Sequence, residues 1–458
     1  MTISTINRFI GHFAEAFAAL GKSVPMADIE RLAMGVHCDM EHGQRVYHTS
    51  AHALEMCQGM KPLQVLAALY HDLVYYQLDG GFPAHADGLL RLVAESDGNR
   101  IVLRRIAQGD EDLAMCACVF DFQPGDELPV YGGLNEFLSA VVAVRQLSPW
   151  LGSAELLAII ACIEASIPFR GGDEQGRLPA ELLAERIRVV DSTRHLGLDD
   201  GAIDGIVHDA IAFANRDVGN FASSNPGDFL SGTWMLIEES NAPLTHAGVY
   251  SVQDYRGALL RMAVFLENLD PANIYHHYRN VPDAAEMSRL CESSRTNLRF
   301  AVDYLGAKLG SMAVIEALAL ETGGDAPISM FLGDISAPDG DPARVANFLP
   351  PPPPSTTQLD AERLAVREHG RARESSSDLT SSPVTAFLYR SLGSDGMKAL
   401  TTQARRMFAG TVSGRSLLMG QPADLVCAII DACRQIALSR SERLRDLGQA
   451  IRSARFHR

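Results

Sequence analysis

Positive charge is in short supply in this chain. Lys and Arg total 40 against 56 Asp and Glu, a formal net charge of −16. So acidic a chain repels phosphate backbones and anionic headgroups, so neither a nucleic-acid polymer nor a membrane surface is expected as a partner. Cysteine is also sparse. The eight Cys are scattered from Cys38 to Cys433 with no CxxC spacing, the usage of a reduced intracellular protein and not of a disulfide scaffold. No apolar run approaches the ~18 residues of a membrane-spanning helix. The opening MTISTINRFIGHFAEAFAAL lacks both a basic leader and a small-residue cleavage site, so it reads as a first amphipathic helix and not as a signal peptide. A cytoplasmic protein, or an effector exported by an apparatus that reads no such signal, is the expectation. Strand signals are nearly missing too: alternating β-branched runs closed by tight turns are hard to find.

What is abundant is helical periodicity. Apolar residues recur at three and four positions in LQVLAALYHDLVYY, ELLAIIACIEASI and DGIVHDAIAFAN, and Ala and Leu are good helix formers. The expectation is an all-α chain with ten or more helices. One interruption is plain: Pro350–Pro354 is a run of five prolines, which cannot be helical, and the Ser-rich ESSSDLTSSP follows. This predicts a catalytic-sized unit over 1–345, a Pro/Ser-rich linker over 346–383 and a small helical C-terminal module over 384–458.

The densest chemical signal is Arg45-Val-Tyr-His48-Thr-Ser-Ala-His52. On a helix, His48 and His52 share one face, one turn apart. Nineteen residues later, LAALYHDLVYY places His71 and Asp72 side by side in an apolar helical stretch. Buried polar groups need partners, since leaving them unpaired costs several kcal/mol. A first-row divalent ion is one such partner, because imidazole nitrogens and a carboxylate oxygen suit it. Such an ion lowers the pKa of its water to about 7, and His48, a turn from His52, is placed to protonate a leaving alkoxide.

A Tyr-preceded His, a second His four later and then a His-Asp doublet resemble the HD superfamily of phosphohydrolases, which includes the cyclic-nucleotide phosphodiesterases. The resemblance implies an HD-type helical phosphodiesterase domain. It implies metal ligands at His52, His71, Asp72 and a distant Asp, with His48 as general acid. Asp191 in ERIRVVDSTRH is preferred for the distant ligand, with Asp217 in FANRDVGNFA as runner-up. Asn135-Glu136 followed by Ser139-Ala140 is similar to an element of a bacterial HD subgroup, which makes Glu136 an orienting or water-positioning group. Together with the block from ANRDVGNFA to FLSGTWMLIEE, the chain up to about residue 345 further resembles the phosphodiesterase domain of SidE-type bacterial effectors. That resemblance implies cleavage of the pyrophosphate of ADP-ribosylated ubiquitin, with ubiquitin as partner and no cofactor. His71 would be the nucleophile forming a phosphohistidine, Glu136 the orienter and His195 the general acid. The alternatives are a metal-dependent HD phosphohydrolase acting on a nucleotide or cyclic nucleotide, and an inactive HD scaffold that binds without turnover.

Plainer readings stand beside these. His48 and His52 can be polar residues of an exposed helix face, and His71 a core histidine satisfied by Asp72. Glu136 and His195 can be ordinary surface residues, and Asp191 the partner of Arg186, Arg188 or Arg194. Adjacent His276 and His277 point about 100° apart on a helix and read as aromatic packing or a substrate rim. Asn215 and Arg216 in an apolar helix are either a buried network or a phosphate contact through Arg216.

Overall fold

The computed structural model describes residues 3–41, 44–97, 100–246, 248–334, 343–351, 359–371, 378 and 381–454. The fold is all-α. In chain order the helices are α1 Thr5–Ala19, α2 Met26–Met40, α3 Ser50–Met56, α4 Pro62–Tyr70, α5 Tyr76–Asp79, α6 Asp87–Val93, α7 Glu111–Phe120, α8 Leu134–Leu147, α9 Ser153–Ala165, α10 Pro179–Arg194, α11 Asp200–Asp217, α12 Pro226–Glu239, α13 Val252–Asn268, α14 Ala284–Thr322, α15 Ser329–Leu332, α16 Ala361–His369, α17 Pro383–Phe408, α18 Gly414–Met419, α19 Ala423–Arg434 and α20 Ser441–Ser453. Among the described residues, one two-stranded antiparallel hairpin, β1 Ala94–Asp97 with β2 Arg100–Leu103, is the only sheet, with Ala94 opposite Leu103.

The chain divides into two compact units, one of residues 1–222 with 270–294, the other of residues 223–269 with 295–458. This differs from the expected division at 345. The residues on both sides of the proline run belong to the second unit, and α16 lies inside the segment expected to be a linker. Within that segment, residues 352–358, 372–377 and 379–380 lie outside the described residues.

In the first unit the core is built on α4 and α9, which pack on each other and on α8 and α11. Both helices are buried all round and mostly apolar: every residue from Gln64 to Tyr70 and from Leu156 to Ala165 is buried, the pattern of a central helix. Local chemistry sets the helix starts. Pro62 at the first position of α4 lacks the N–H that would go unused there. The Lys61 amide donates to Gln64 Oε1, and Asp199 caps α11 by accepting from the Ala202 amide at 2.7 Å.

The second unit has a buried polar centre. The Asp378 carboxylate accepts from Trp234 Nε1 at 3.0 Å and Tyr255 Oη at 2.6 Å, and pairs with Lys308 at 3.1 Å and Arg371 at 3.4 Å. Burial alone would raise the Asp378 carboxyl, but Lys308 and Arg371 outweigh it and hold it below the ordinary carboxylate range. Removing the carboxylate strands two buried cations, so Asp378→Ala is expected to lower stability by about 3–5 kcal/mol. Urea unfolding followed by Trp fluorescence measures this. Because the folded-state pKa is depressed, the contribution of Asp378 is present above pH ~4 and is lost as the pH falls through the folded value. Asp378→Asn should lack that acid-dependent component.

Candidate active site

The His-Asp doublet stands at the C-terminal end of α4, with His71 as its capping residue. The buried His71 ring makes one hydrogen bond, from Nδ1 to the Ala68 carbonyl at 2.9 Å, which turns Nε2 outward. There Nε2 is 3.0 Å from Asp72 Oδ2 and 3.7 Å from Asp217 Oδ1. His52, on α3, brings its Nε2 to 3.0 Å from Asp217 Oδ1 and 3.7 Å from Asp72 Oδ2. Two imidazoles and two carboxylates from three helices and the turn after α4 thus converge. His71 is 1% exposed, while His52, Asp72 and Asp217 keep 14–20% of their side chains accessible, so the cluster has a closed back and an open front.

Two orphaned atoms test whether a metal fits. Among the described residues, His71 Nε2 and Asp72 Oδ2 are buried and lack a hydrogen-bond partner, although they stand 3.0 Å apart. Donors sharing one first-row ion at about 2.0–2.2 Å stand about 3 Å apart. His52, His71 and Asp72 offer ligand atoms within 4.8 Å of one another, and Asp217 reaches both imidazoles. The donor set fits a divalent cation. α4 and α11 both end here, and helix C-termini carry partial negative charge that favours a cation. With the side chains alone, burial works against a charged His71, but Asp72 and Asp217 overcome it and hold its imidazole well above the ordinary value. Burial likewise opposes ionised Asp72 and Asp217, and the facing imidazoles hold both well below the usual carboxylate range.

Three devices hold these groups in place. Arg45 pairs bidentately with Asp79 of α5, at 3.0 and 2.6 Å, and donates to the carbonyls of His48, Asp72 and Leu73. Asn135 and Ser139 of α8 accept the amides of Tyr76 and Val74, each at 3.0 Å, which pins the chain just after the doublet. Asn220 Nδ2 donates to Tyr47 Oη at 3.3 Å, joining the chain after Asp217 to the segment before His48.

His48 precedes α3 by two residues and does not share a helix with His52 as the spacing predicts. Its ring still lies 6.3 Å from that of His52 and edge-on to Tyr75 at 4.7 Å. Glu136 sits in the first turn of α8, between the pinning residues Asn135 and Ser139. Crowding by protein raises its carboxyl to about 7, with Asp72 and Asp217 adding to the rise.

Other expectations are corrected. Asp191 accepts the Leu198 amide at 2.9 Å, so it closes the end of α10; the second carboxylate of the cluster is Asp217. His195 is the exposed left-handed cap of α10 (φ +55°) and is not brought to the cluster. Arg216 is exposed and donates to the Glu55 carbonyl at 3.3 Å, so its guanidinium is engaged by the backbone of α3. Asn215 instead clamps the backbone of His276, donating to its carbonyl and accepting its amide, each at 2.8 Å. The second His-Asp doublet is structural: His208 contacts the Tyr278 carbonyl and Asp209 pairs with Lys61. The roles of Arg45 and Ser139 went unread, although Arg45 lies three residues before His48. Compared with protein-family models, curated proteins and solved structures, the chain matches none.

Two measurements follow from this geometry. Asp217→Ala should weaken binding of an added divalent ion at least about tenfold, a usual cost even for an outer partner of a metal ligand, while Asp191→Ala should leave it unchanged; titration calorimetry with Mn²⁺ after chelator treatment compares them. In the chelator-treated protein, Glu136 has a folded pKa of about 7 against an ordinary 4.5, so its stabilising contribution is complete below the unfolded value and is lost as pH rises to 7. Glu136→Gln should flatten that part of the melting-temperature profile between these two values.

Proposed function

We propose that this chain is a phosphodiesterase of the HD type that works with a divalent ion held by His52, His71, Asp72 and Asp217. The observation that carries the reading is the convergence of His52, His71 and Asp72, with ligand atoms within 4.8 Å of one another and Asp217 reaching both imidazoles, while His71 Nε2 and Asp72 Oδ2 lack a hydrogen-bond partner among the described residues. When bound, the ion supplies neutralising charge to the phosphoryl oxygens and makes a water acidic enough to react near neutral pH.

The chain's own residues supply the remaining functions. His48, at the open front and packed on Tyr75, donates a proton to the departing alkoxide. Glu136, whose carboxyl holds or releases a proton near pH 7, orients the attacking water. Arg45, Asn135 and Ser139 fix the backbone that carries these groups, so little reorganisation accompanies the reaction. The resemblance to SidE-type effectors keeps ADP-ribosylated ubiquitin as a substrate for testing, since His71 and Glu136 both stand at this site. The metal-free phosphohistidine scheme is the weaker reading because its acid, His195, is exposed at the end of α10.

The test is hydrolysis of bis(p-nitrophenyl) phosphate and of ADP-ribosylated ubiquitin, with Mn²⁺ or with excess chelator. Turnover that chelation abolishes and Mn²⁺ restores is expected. His48→Ala should lower kcat by about 10²–10⁴-fold while retaining the ion. Chelator-resistant release of AMP from the modified ubiquitin would instead establish the covalent scheme. Ion binding without turnover of either compound would make the chain a binding scaffold.

A further inference from the structure

Beside the cluster lies a cation that the proposed reaction has not used. Arg170 follows α9 and is held by three hydrogen bonds: Nη1 to Glu164 Oε1 at 2.6 Å, Nη2 to the Glu164 carbonyl at 2.8 Å, and Nε to the Ile167 carbonyl at 3.2 Å. Glu164 is fully buried and also pairs with Arg186 at 2.9 Å, so one carboxylate is shared by two guanidiniums. A guanidinium has five N–H groups; two of those on Arg170 remain, and 27% of its side chain is exposed. Both guanidiniums converge on Glu164 Oε1, while the buried Oε2 has no hydrogen-bond partner among the described residues.

The position of Arg170 follows from packing. A Cβ at Gly133 would lie 2.8 Å from Ile167 Cδ1, so the Ile167–Arg170 turn rests against the N-terminus of α8, one turn from Glu136. Glu136 and His276 both feel the charge of Arg170. His276 is buried, with its backbone clamped by Asn215, two residues before Asp217 on α11. Phe169, immediately before Arg170, has φ +59°. A bulky residue in that conformation is strained by about 1–3 kcal/mol, and such strain concentrates at functional sites.

We infer that Arg170 is a substrate-anchoring residue that binds a second anionic group of the substrate, outside the phosphodiester being cleaved, and that Glu164 is the positioning residue that aims it. The inference rests on the proposed phosphodiesterase reading and names the class of substrate: one carrying two anionic groups. Arg suits this work because its planar fork recognises phosphate in a fixed orientation. His276, which burial drives down to about 4 with Arg170 adding to the fall, is neutral at physiological pH and adds no competing charge.

Two chromogenic esters differing by one phosphate test this: the 5′-(p-nitrophenyl phosphate) of thymidine, with and without a 3′-phosphate. With Mn²⁺, the wild type should favour the ester that carries the second anionic group. Arg170→Ala should lower kcat/KM for that ester by about 10–100-fold, mainly through KM, and change the singly charged ester less than about threefold. Glu164→Gln should move the same ratio in the same direction, and Arg170→Lys should restore part of it. Equal losses on both esters, or no loss on either, would overturn the inference. If the wild type hydrolyses neither ester, the phosphodiesterase reading has failed, and calorimetric binding of thymidine 3′,5′-bisphosphate decides the matter for Arg170. At least tenfold weaker binding by Arg170→Ala, with an unchanged melting temperature, supports the anchor; equal binding excludes it.

Discussion

The site depends on one buried guanidinium. Arg45 places all five of its N–H groups: two on Asp79, and one each on the carbonyls of His48, Asp72 and Leu73. It thereby ties the segment that brings His48 to the turn that carries His71 and Asp72. A lysine has three donors and no planar fork, so it could not fill this position. The side chains of Arg45 and Asp79 are 1% and 3% exposed, and burying such a pair is tolerable only with this geometry and with its remaining donors satisfied. Function explains the arrangement better than stability does. An apolar pair would fill the same space without the desolvation cost, but it would leave three carbonyls unsatisfied and the two segments free to drift.

Charge is balanced locally at the cluster. Asp72 and Asp217 are held ionised by the imidazoles they face, while burial raises a third carboxyl, Glu136, with Asp72 and Asp217 adding to the rise. Three carboxylates in one partly dry site cannot all be charged without a compensating cation. The two lowest take the charge, and the third is left with a proton that it can exchange near pH 7, the range in which a general acid–base group works best. Carboxyls of opposite protonation behaviour therefore arise from one functional group, set apart by burial and by which partners each one faces.

The helical class was legible because Ala and Leu at three- and four-residue spacing determine it locally. His52, His71 and Asp72 were legible because a polar doublet in an apolar helix needs a reason. The fourth member of the cluster was not. Asp191 and Asp217 each lie near the end of an apolar helix beside an arginine, and only the fold shows that one meets the Leu198 amide while the other crosses 165 residues to His52. The unit boundary was hidden for a similar reason. Residues 223–269 join 295–458 through packing that no local pattern encodes, and a run of prolines marks a break in helix without marking a break between units.

The Asn135–Glu136–Ser139 element shows how a short motif can be read for the wrong property. Glu136 drew attention as the charged residue, yet the neighbours do the structural work: Asn135 and Ser139 accept the amides of Tyr76 and Val74, satisfying donors of the turn after α4 and of the first residue of α5. Glu136 follows from them, since one residue after Asn135 and three before Ser139 is the position on α8 that the pinned turn surrounds. Arg45 grips the same turn from the other side. The turn after His71-Asp72 is thus held from both α8 and α5, while the front, where His48 and the accessible edges of His52 and Asp217 lie, stays open. On the proposed reading, a site that admits a phosphodiester and holds its reacting groups in a fixed arrangement benefits from that asymmetry: a fixed back wall and an open face.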